Sequence, residues 1–216
     1  MFHSMKLMKQ RGFSPKTIID VGAYKGSWTS KVTSIFPDAS FIMYEAQPDK
    51  KTYLEDIKAK HPGKIEYHIA LLGSTEKKSV PYFLMETGSS VLEENTDYNR
   101  ELTQLPMHTL DKLIEPTLLE QPCFLKLDVQ GYEIEVLKGA QALLLKVDIV
   151  LLEVSILEYN KEAPLIAEII CFMDNAGFST FDITELKRTS DEHILFQADI
   201  FFCRHEHPFK KIKKFS

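Results

Sequence analysis

Four short apolar runs in this 216-residue chain end on an acid, and stretches with helical spacing separate them. Ile18-Ile19 leads to Asp20, Met43-Tyr44 to Glu45, Leu125-Lys126-Leu127 to Asp128, and Leu151-Leu152 to Glu153. Alternation of strand and helix implies a parallel sheet covered on both faces. In such sheets ligands bind outside the carboxyl ends of the strands. The four carboxylates therefore gather along one sheet edge. Burying several acids together is costly unless a cation or hydrogen-bond donor meets them. A loop or helix cap accounts for any single acid; four in phase point to a site.

The rest of the chain supports one α/β domain over residues 1–216, with a core of about 17–204. Residues 17–21 read as the first strand, and Trp28, Val32 and Ile35 recur at helical spacing after it. Residues 40–44 and 65–71 read as the next two strands, separated by a helix that Pro48 and Asp49 open. The rhythm then changes. Residues 80–85 read as an added strand, 86–99 as a polar stretch, and Thr109 as the cap of a short helix. It returns with strands at 123–128 and 147–152, around one helix carrying Ile134, Leu137 and Leu144. A helix at 164–176 ends at Gly177. Residues 178–183 and 198–203 read as a final antiparallel pair. A short N-terminal helix lies outside this core. So does a basic tail, with Lys210, Lys211, Lys213 and Lys214 beside Phe209, Ile212 and Phe215; a solvated end is the default reading for it.

Composition removes several classes of function. The formal net charge of -5 argues against duplex nucleic acid as a partner, since that needs a basic face. No apolar run reaches the roughly 18 residues of a membrane span, and the first dozen residues are too polar for a signal peptide. Cys123, Cys171 and Cys203 are widely spaced within apolar runs and read as buried reduced thiols. A cytoplasmic setting is the expectation. Oligomeric state has no signature in the sequence.

The segment Asp20-Val21-Gly22-Ala23-Tyr24-Lys25-Gly26 leaves the first strand and opens a helix. Gly22 permits a tight turn and close backbone approach, and Gly26 lets the helix begin near a ligand. Neither the G-x-G-x-x-G dinucleotide pattern nor a G-x-x-x-x-G-K-[ST] phosphate loop is present. The turn suits a nucleoside without a pyrophosphate clamp. Glu45, at the second strand tip, is placed to accept both ribose hydroxyls. Asp20 is placed to meet a ligand ammonium, directly or through water. Helix entry ahead of Pro48 is the structural alternative for Glu45.

These segments, with Tyr44-Glu45-Ala46-Gln47-Pro48, Lys126-Leu127-Asp128-Val129-Gln130-Gly131-Tyr132-Glu133 and Val136-Leu137-Lys138-Gly139-Ala140, closely resemble the FkbM family of class I methyltransferases. Gln197-Ala198-Asp199 extends the likeness, which runs from about Thr17 to Arg204. The resemblance implies a Rossmann-like fold with a mostly parallel seven-stranded sheet, helices on both faces and an antiparallel last strand. It implies S-adenosylmethionine as cofactor, with Asp20, Gly22, Ala23, Gly26 and Glu45 around it. Ala70 and Leu71 fall where the family lines the adenine, Ser89 and Ser90 match a polar loop near cofactor and acceptor, and Asp128 stands beside the methyl donor. Tyr24 and Lys25 replace residues such as Asn in relatives.

Lys126 and Asp128 lie two apart on one strand and share a face. A lysine inside a buried strand needs a partner, which Asp128 or Glu133 can supply. Two readings stand for Lys126, Asp128 and Glu133. They form a structural ion pair, or they orient the acceptor and take its proton, with Asp128 the first candidate base and His68 and His108 weaker ones. No His and acid cluster shows metal-ligand spacing, so no metal is expected, although Asp20, Asp128 and Glu153 converge on one edge. The Asn-Pro-Pro-Tyr and Asp-Pro-Pro-Tyr motifs of exocyclic-amine methylation are absent. With the resemblance, this favours oxygen methylation of a small-molecule or glycan hydroxyl. A non-catalytic cofactor-binding scaffold is the competing reading. A nicotinamide oxidoreductase is a third, weakened by the missing dinucleotide pattern.

Overall fold

A computed structural model describes residues 1–96 and 99–211. In chain order it contains α1 (Phe2–Gln10), β1 (Thr17–Val21), α2 (Ser27–Ile35), β2 (Ser40–Glu45), α3 (Lys51–Lys60), β3 (Ile65–Ile69), β4 (Leu71–Leu72) and β5 (Lys77–Leu84). There follow β6 (Glu101–His108), α4 (Leu110–Leu113), β7 (Cys123–Leu127), α5 (Glu133–Lys138), α6 (Gln141–Leu144), β8 (Val147–Ser155), α7 (Ile166–Asn175), β9 (Phe178–Arg188) and β10 (Leu195–Arg204). Seven strands form one sheet in the order β3-β2-β1-β7-β8-β10-β9. All neighbouring pairs are parallel except those of β10, which runs antiparallel to β8 and β9. The strand order reverses between β1 and β7, and a crevice opens at such a switch point.

Period-two alternation decides which side chain faces which helix layer. Leu125, Leu127, Val150 and Leu152 pack towards α5, α6 and α7. Phe124, Ile149, Leu151 and Phe201 pack towards α1, α2 and α3. Helix α1 belongs to that second layer: Met5 and Met8 are fully buried in it, so the core extends beyond its expected start at residue 17. No helix among the described residues is long and apolar enough to cross a membrane. Lys210 and Lys211 are exposed; Ile212, Lys213, Lys214 and Phe215 lie outside the described residues.

Four expectations need correction. The run 65–71 is two strands. Ala70 donates its N–H to the Glu45 carbonyl at 2.8 Å, and Leu71 then enters a second sheet ordered β4-β6-β5. The helix carrying Ile134, Leu137 and Leu144 breaks at Gly139, where the Gly73 carbonyl passes so close that a β-carbon would sit 2.1 Å from its oxygen. Thr109 stands before α4 but makes no side-chain cap; Asp111 instead accepts from Ala142 and Leu143 N–H at 2.8 Å and starts α6. Cys171 is exposed because α7 turns Ile169 and Met173 inward, while Cys123 and Cys203 are buried.

Candidate active site

The crevice begins at the Gly22 turn. Gly22 has φ +74°, and a β-carbon there would lie 1.9 Å from the Asp128 carbonyl oxygen. Only glycine lets the β1 and β7 tips close together in this way. Gly22 and Ala23 donate their N–H groups to the Tyr44 carbonyl at 2.9 and 3.0 Å. Tyr24 follows in the left-handed region, at φ 51°. Its N–H donates to Glu45 Oε2 at 2.7 Å, while Gln47 N–H donates to Oε1 at 2.8 Å. Burial raises the pKa of Glu45, and these two bonds together with the charge of Lys126 oppose the rise. Each carboxylate oxygen keeps a further lone pair.

A cleft opens over these groups. Gly22, Tyr24 and Glu45 line it on one side, Ala70, Leu71 and Leu72 beneath, and Tyr82 and Ser89 from the small sheet and its turn. Asp128, Gln130 and Tyr132 complete the wall. The sites read from sequence thus divide. Gly22, Glu45, Ala70, Leu71, Ser89 and Asp128 line this cleft. Ala23 and Lys126 line a second cleft that shares Gly22, Tyr24 and Asp128 with the first. Ser90 is buried beneath, its hydroxyl donating to the Gln130 carbonyl at 2.9 Å. Gly26 faces Leu54 and Ile57 and sets how closely α2 packs on α3.

Asp20 lines neither cleft. It is fully buried, with Oδ2 accepting from the Thr29 hydroxyl at 2.7 Å and Oδ1 2.9 Å from Lys126 Nζ. The β1–β7 register sets Asp20 opposite Lys126, which brings the two together. Asp20, not Asp128 or Glu133, is therefore the main partner of Lys126; Asp128 Oδ2 stands 3.8 Å away. Lys126 also donates to the Gly22 carbonyl at 2.9 Å and to the Val21 carbonyl at 3.3 Å. Burial alone would lower its pKa, but the charges of Asp20 and Asp128 outweigh it, and the net shift is upward. The ammonium is thus a fixed cation that grips the Gly22 turn from below.

Glu133 is also held inside the protein. Its Oε1 accepts from Val129 and Gly131 N–H at 3.0 and 3.2 Å, ordering the loop after β7. Burial pushes its carboxyl up to about 7 from an ordinary 4.5. An acid whose folded pKa is raised costs stability as pH climbs from its unfolded value through its folded one. The protein should therefore lose on the order of 3 kcal/mol from this group over that window. Glu133→Gln keeps the accepting oxygen and removes the charge. Melting temperature against pH should fall less steeply in this variant; an unchanged slope counts against the assignment.

Sequence reasoning missed Gln130. It sits at φ 55° and donates its amide to Asp128 Oδ1 at 2.9 Å and to Glu153 Oε2 at 2.7 Å. Its carbonyl accepts from Asn160 Nδ2 at 2.9 Å. The only available signal was its place between Asp128 and Gly131. His68 stacks on Tyr44 with centroids 5.0 Å apart, and His108 bonds Glu76; neither lines the two clefts. Among the described residues no group of three or more His, Cys, Asp or Glu is arranged to hold a metal.

Residues 20–180 match the model of the methyltransferase FkbM domain. The chain belongs to the FkbM methyltransferase family. An FkbM-family protein is a methyltransferase that uses S-adenosylmethionine as cofactor. No curated protein sequence matches the chain. Solved structures share its fold at low identity. A precorrin-6y C5,15-methyltransferase from Geobacter metallireducens GS-15 is 13% identical with a TM-score of 0.50, over 93% of this chain and 86% of its own. The fibrillarin/Nop5p complex gives 13% and 0.52 over 91% and 78%. The N-terminal domain of EvdMO1, solved with S-adenosylhomocysteine, gives 11% and 0.52 over 94% and 79%. At these identities the likeness supports the Rossmann-like class I fold.

Proposed function

We propose that this FkbM-family protein methylates a hydroxyl of a small molecule or glycan, with Asp128 as the general base. The observation that carries the proposal is Asp128 itself. It lies on the wall shared by two clefts, with its side chain 37% exposed, while its neighbour Lys126 is committed to Asp20 and two carbonyls. A partly open carboxylate can take a proton from an acceptor hydroxyl, and Lys126, already protonated, cannot.

The first cleft fits the cofactor. The two Glu45 oxygens, each fixed by one backbone N–H, still offer lone pairs to ribose hydroxyls. Ala70, Leu71 and Leu72 offer an apolar bed for adenine, and Ser89 borders the same space. Gly22 and Asp128 lie where the first cleft meets the second. Asp20 acts through Lys126, and Ser90 and Glu133 act through the loop that carries Gln130. S-adenosylmethionine, when bound, supplies an activated methyl group. The chain's own task is then alignment of the acceptor and removal of its proton.

Calorimetry with S-adenosylhomocysteine tests the cofactor site. Glu45→Ala should weaken binding by about 100-fold, the loss of two hydrogen bonds to a charged group. Full-strength binding by this variant would sink the ribose assignment. Transfer of labelled methyl into a cell extract tests turnover; cofactor binding with no transfer to any component would favour the scaffold reading.

A further inference from the structure

We propose that the second cleft is the acceptor site and that it takes an acceptor carrying a protonated amine, anchored by Asp199 beside Trp28. This rests on the reading that Asp128 deprotonates an acceptor hydroxyl. The two clefts meet at Gly22, Tyr24 and Asp128, so an acceptor in the second would reach the base from the side opposite the ribose acid.

Asp199 carries the argument. It stands on β10 opposite Glu153 of β8, is 8% exposed, and lines the cleft. Among the described residues its carboxylate has no hydrogen bond or ion pair; the Thr184 hydroxyl reaches only its backbone oxygen, at 3.4 Å. The two lysines at the cleft each have a nearer carboxylate: Lys126 pairs with Asp20 and Lys187 with Glu153, and Lys187 reaches Asp199 only through its charge. The amides of Gln130 and Gln197 both go to Glu153. A buried carboxylate without a partner is costly, and a ligand that compensates it gains that cost back on binding.

Charge chooses between ligands. With both lysines so paired, Asp128 and Asp199 leave a surplus of negative charge in the cleft, so phosphorylated or carboxylated acceptors are repelled. A neutral hydroxyl would satisfy Asp199 geometrically but leave the charge; an ammonium satisfies both. Burial pushes the Asp199 carboxyl up to about 6 and the charge of Lys187 opposes the rise; an ammonium bound in the cleft would oppose it further. The remaining walls agree. Leu151 is apolar, and the Trp28 ring already faces one cation, Lys126 Nζ, 5.7 Å from its centroid. Indole is the best side-chain face for a cation.

Trp28 is the sole tryptophan, so its fluorescence reports on this cleft. The test titrates protein saturated with S-adenosylhomocysteine with glucosamine, N-acetylglucosamine and glucuronic acid. Glucosamine should give a saturable change and bind at least about tenfold tighter than N-acetylglucosamine, as one charged hydrogen bond allows. Glucuronic acid should bind weakest. Asp199→Asn, checked by its melting temperature and its cofactor affinity, should remove the preference. Equal binding of the amine and its acetylated form, no saturable change with glucosamine, or an unaltered preference in Asp199→Asn overturns the proposal. If the wild type fails to bind S-adenosylhomocysteine, the cofactor reading falls first. If it binds and the amine preference is missing, only the Asp199 anchor falls.

Discussion

Asp128→Asn should lower methyl transfer by about 10²–10⁴-fold while leaving the affinity for S-adenosylhomocysteine little changed. The substitution preserves shape. An asparagine carbonyl can still accept the Gln130 amide that now reaches Asp128 Oδ1 at 2.9 Å. It also keeps the backbone N–H that Asp128 donates to the Val21 carbonyl at 3.1 Å, so the β1 and β7 tips should stay joined. What disappears is the proton acceptor. The readout is labelled methyl incorporated into extract components, compared at equal cofactor occupancy. Wild-type rates in Asp128→Asn would remove Asp128 as the base. A parallel loss of cofactor affinity would instead make its role one of binding.

Lys126→Met should destabilise the fold by about 3–5 kcal/mol, the cost of leaving one member of a buried ion pair alone. Asp20 is fully buried and would retain only the Thr29 hydroxyl. The carbonyls of Val21 and Gly22 would also lose their donor. Removing both charges tests the cause. The double variant Asp20→Asn with Lys126→Met should recover most of the loss, since an apolar or neutral replacement of a buried pair is often tolerated. Denaturant unfolding of the two single variants and the double measures the coupling. Equal stability of Lys126→Met and its double partner would show that the pair does not hold the strand tips.

The acids at the strand ends were legible as a group because strand burial and pleat are local properties of the chain. Their division of labour was not. Asp20 and Glu45 both stand at strand tips, yet the β1–β7 register brings Asp20 against Lys126 inside the protein, while Glu45 stays on the cleft. Register between distant segments is a tertiary property, and no single segment displays it. Strand β6 was missed for a different reason. Thr103, Leu105 and Met107 alternate as a half-buried strand should, but Pro106 interrupts the run and argues against one. The break at Gly139 depends on a backbone contact with Gly73, far away in sequence. Gln130 was invisible because nothing in residue type marks an amide shared by carboxylates from two distant segments.

The turn from Gly22 to Tyr24 is fastened on both flanks before any ligand arrives, by Glu45 through the Tyr24 N–H and by Lys126 through the Gly22 carbonyl. Such a loop has little conformational freedom left to surrender. Binding there carries only a small ordering cost, so analogues that differ in one group should differ in affinity by that group's own contacts. Under the proposed cofactor reading, inhibitors built on a nucleoside scaffold should gain affinity from each well-separated substituent almost independently.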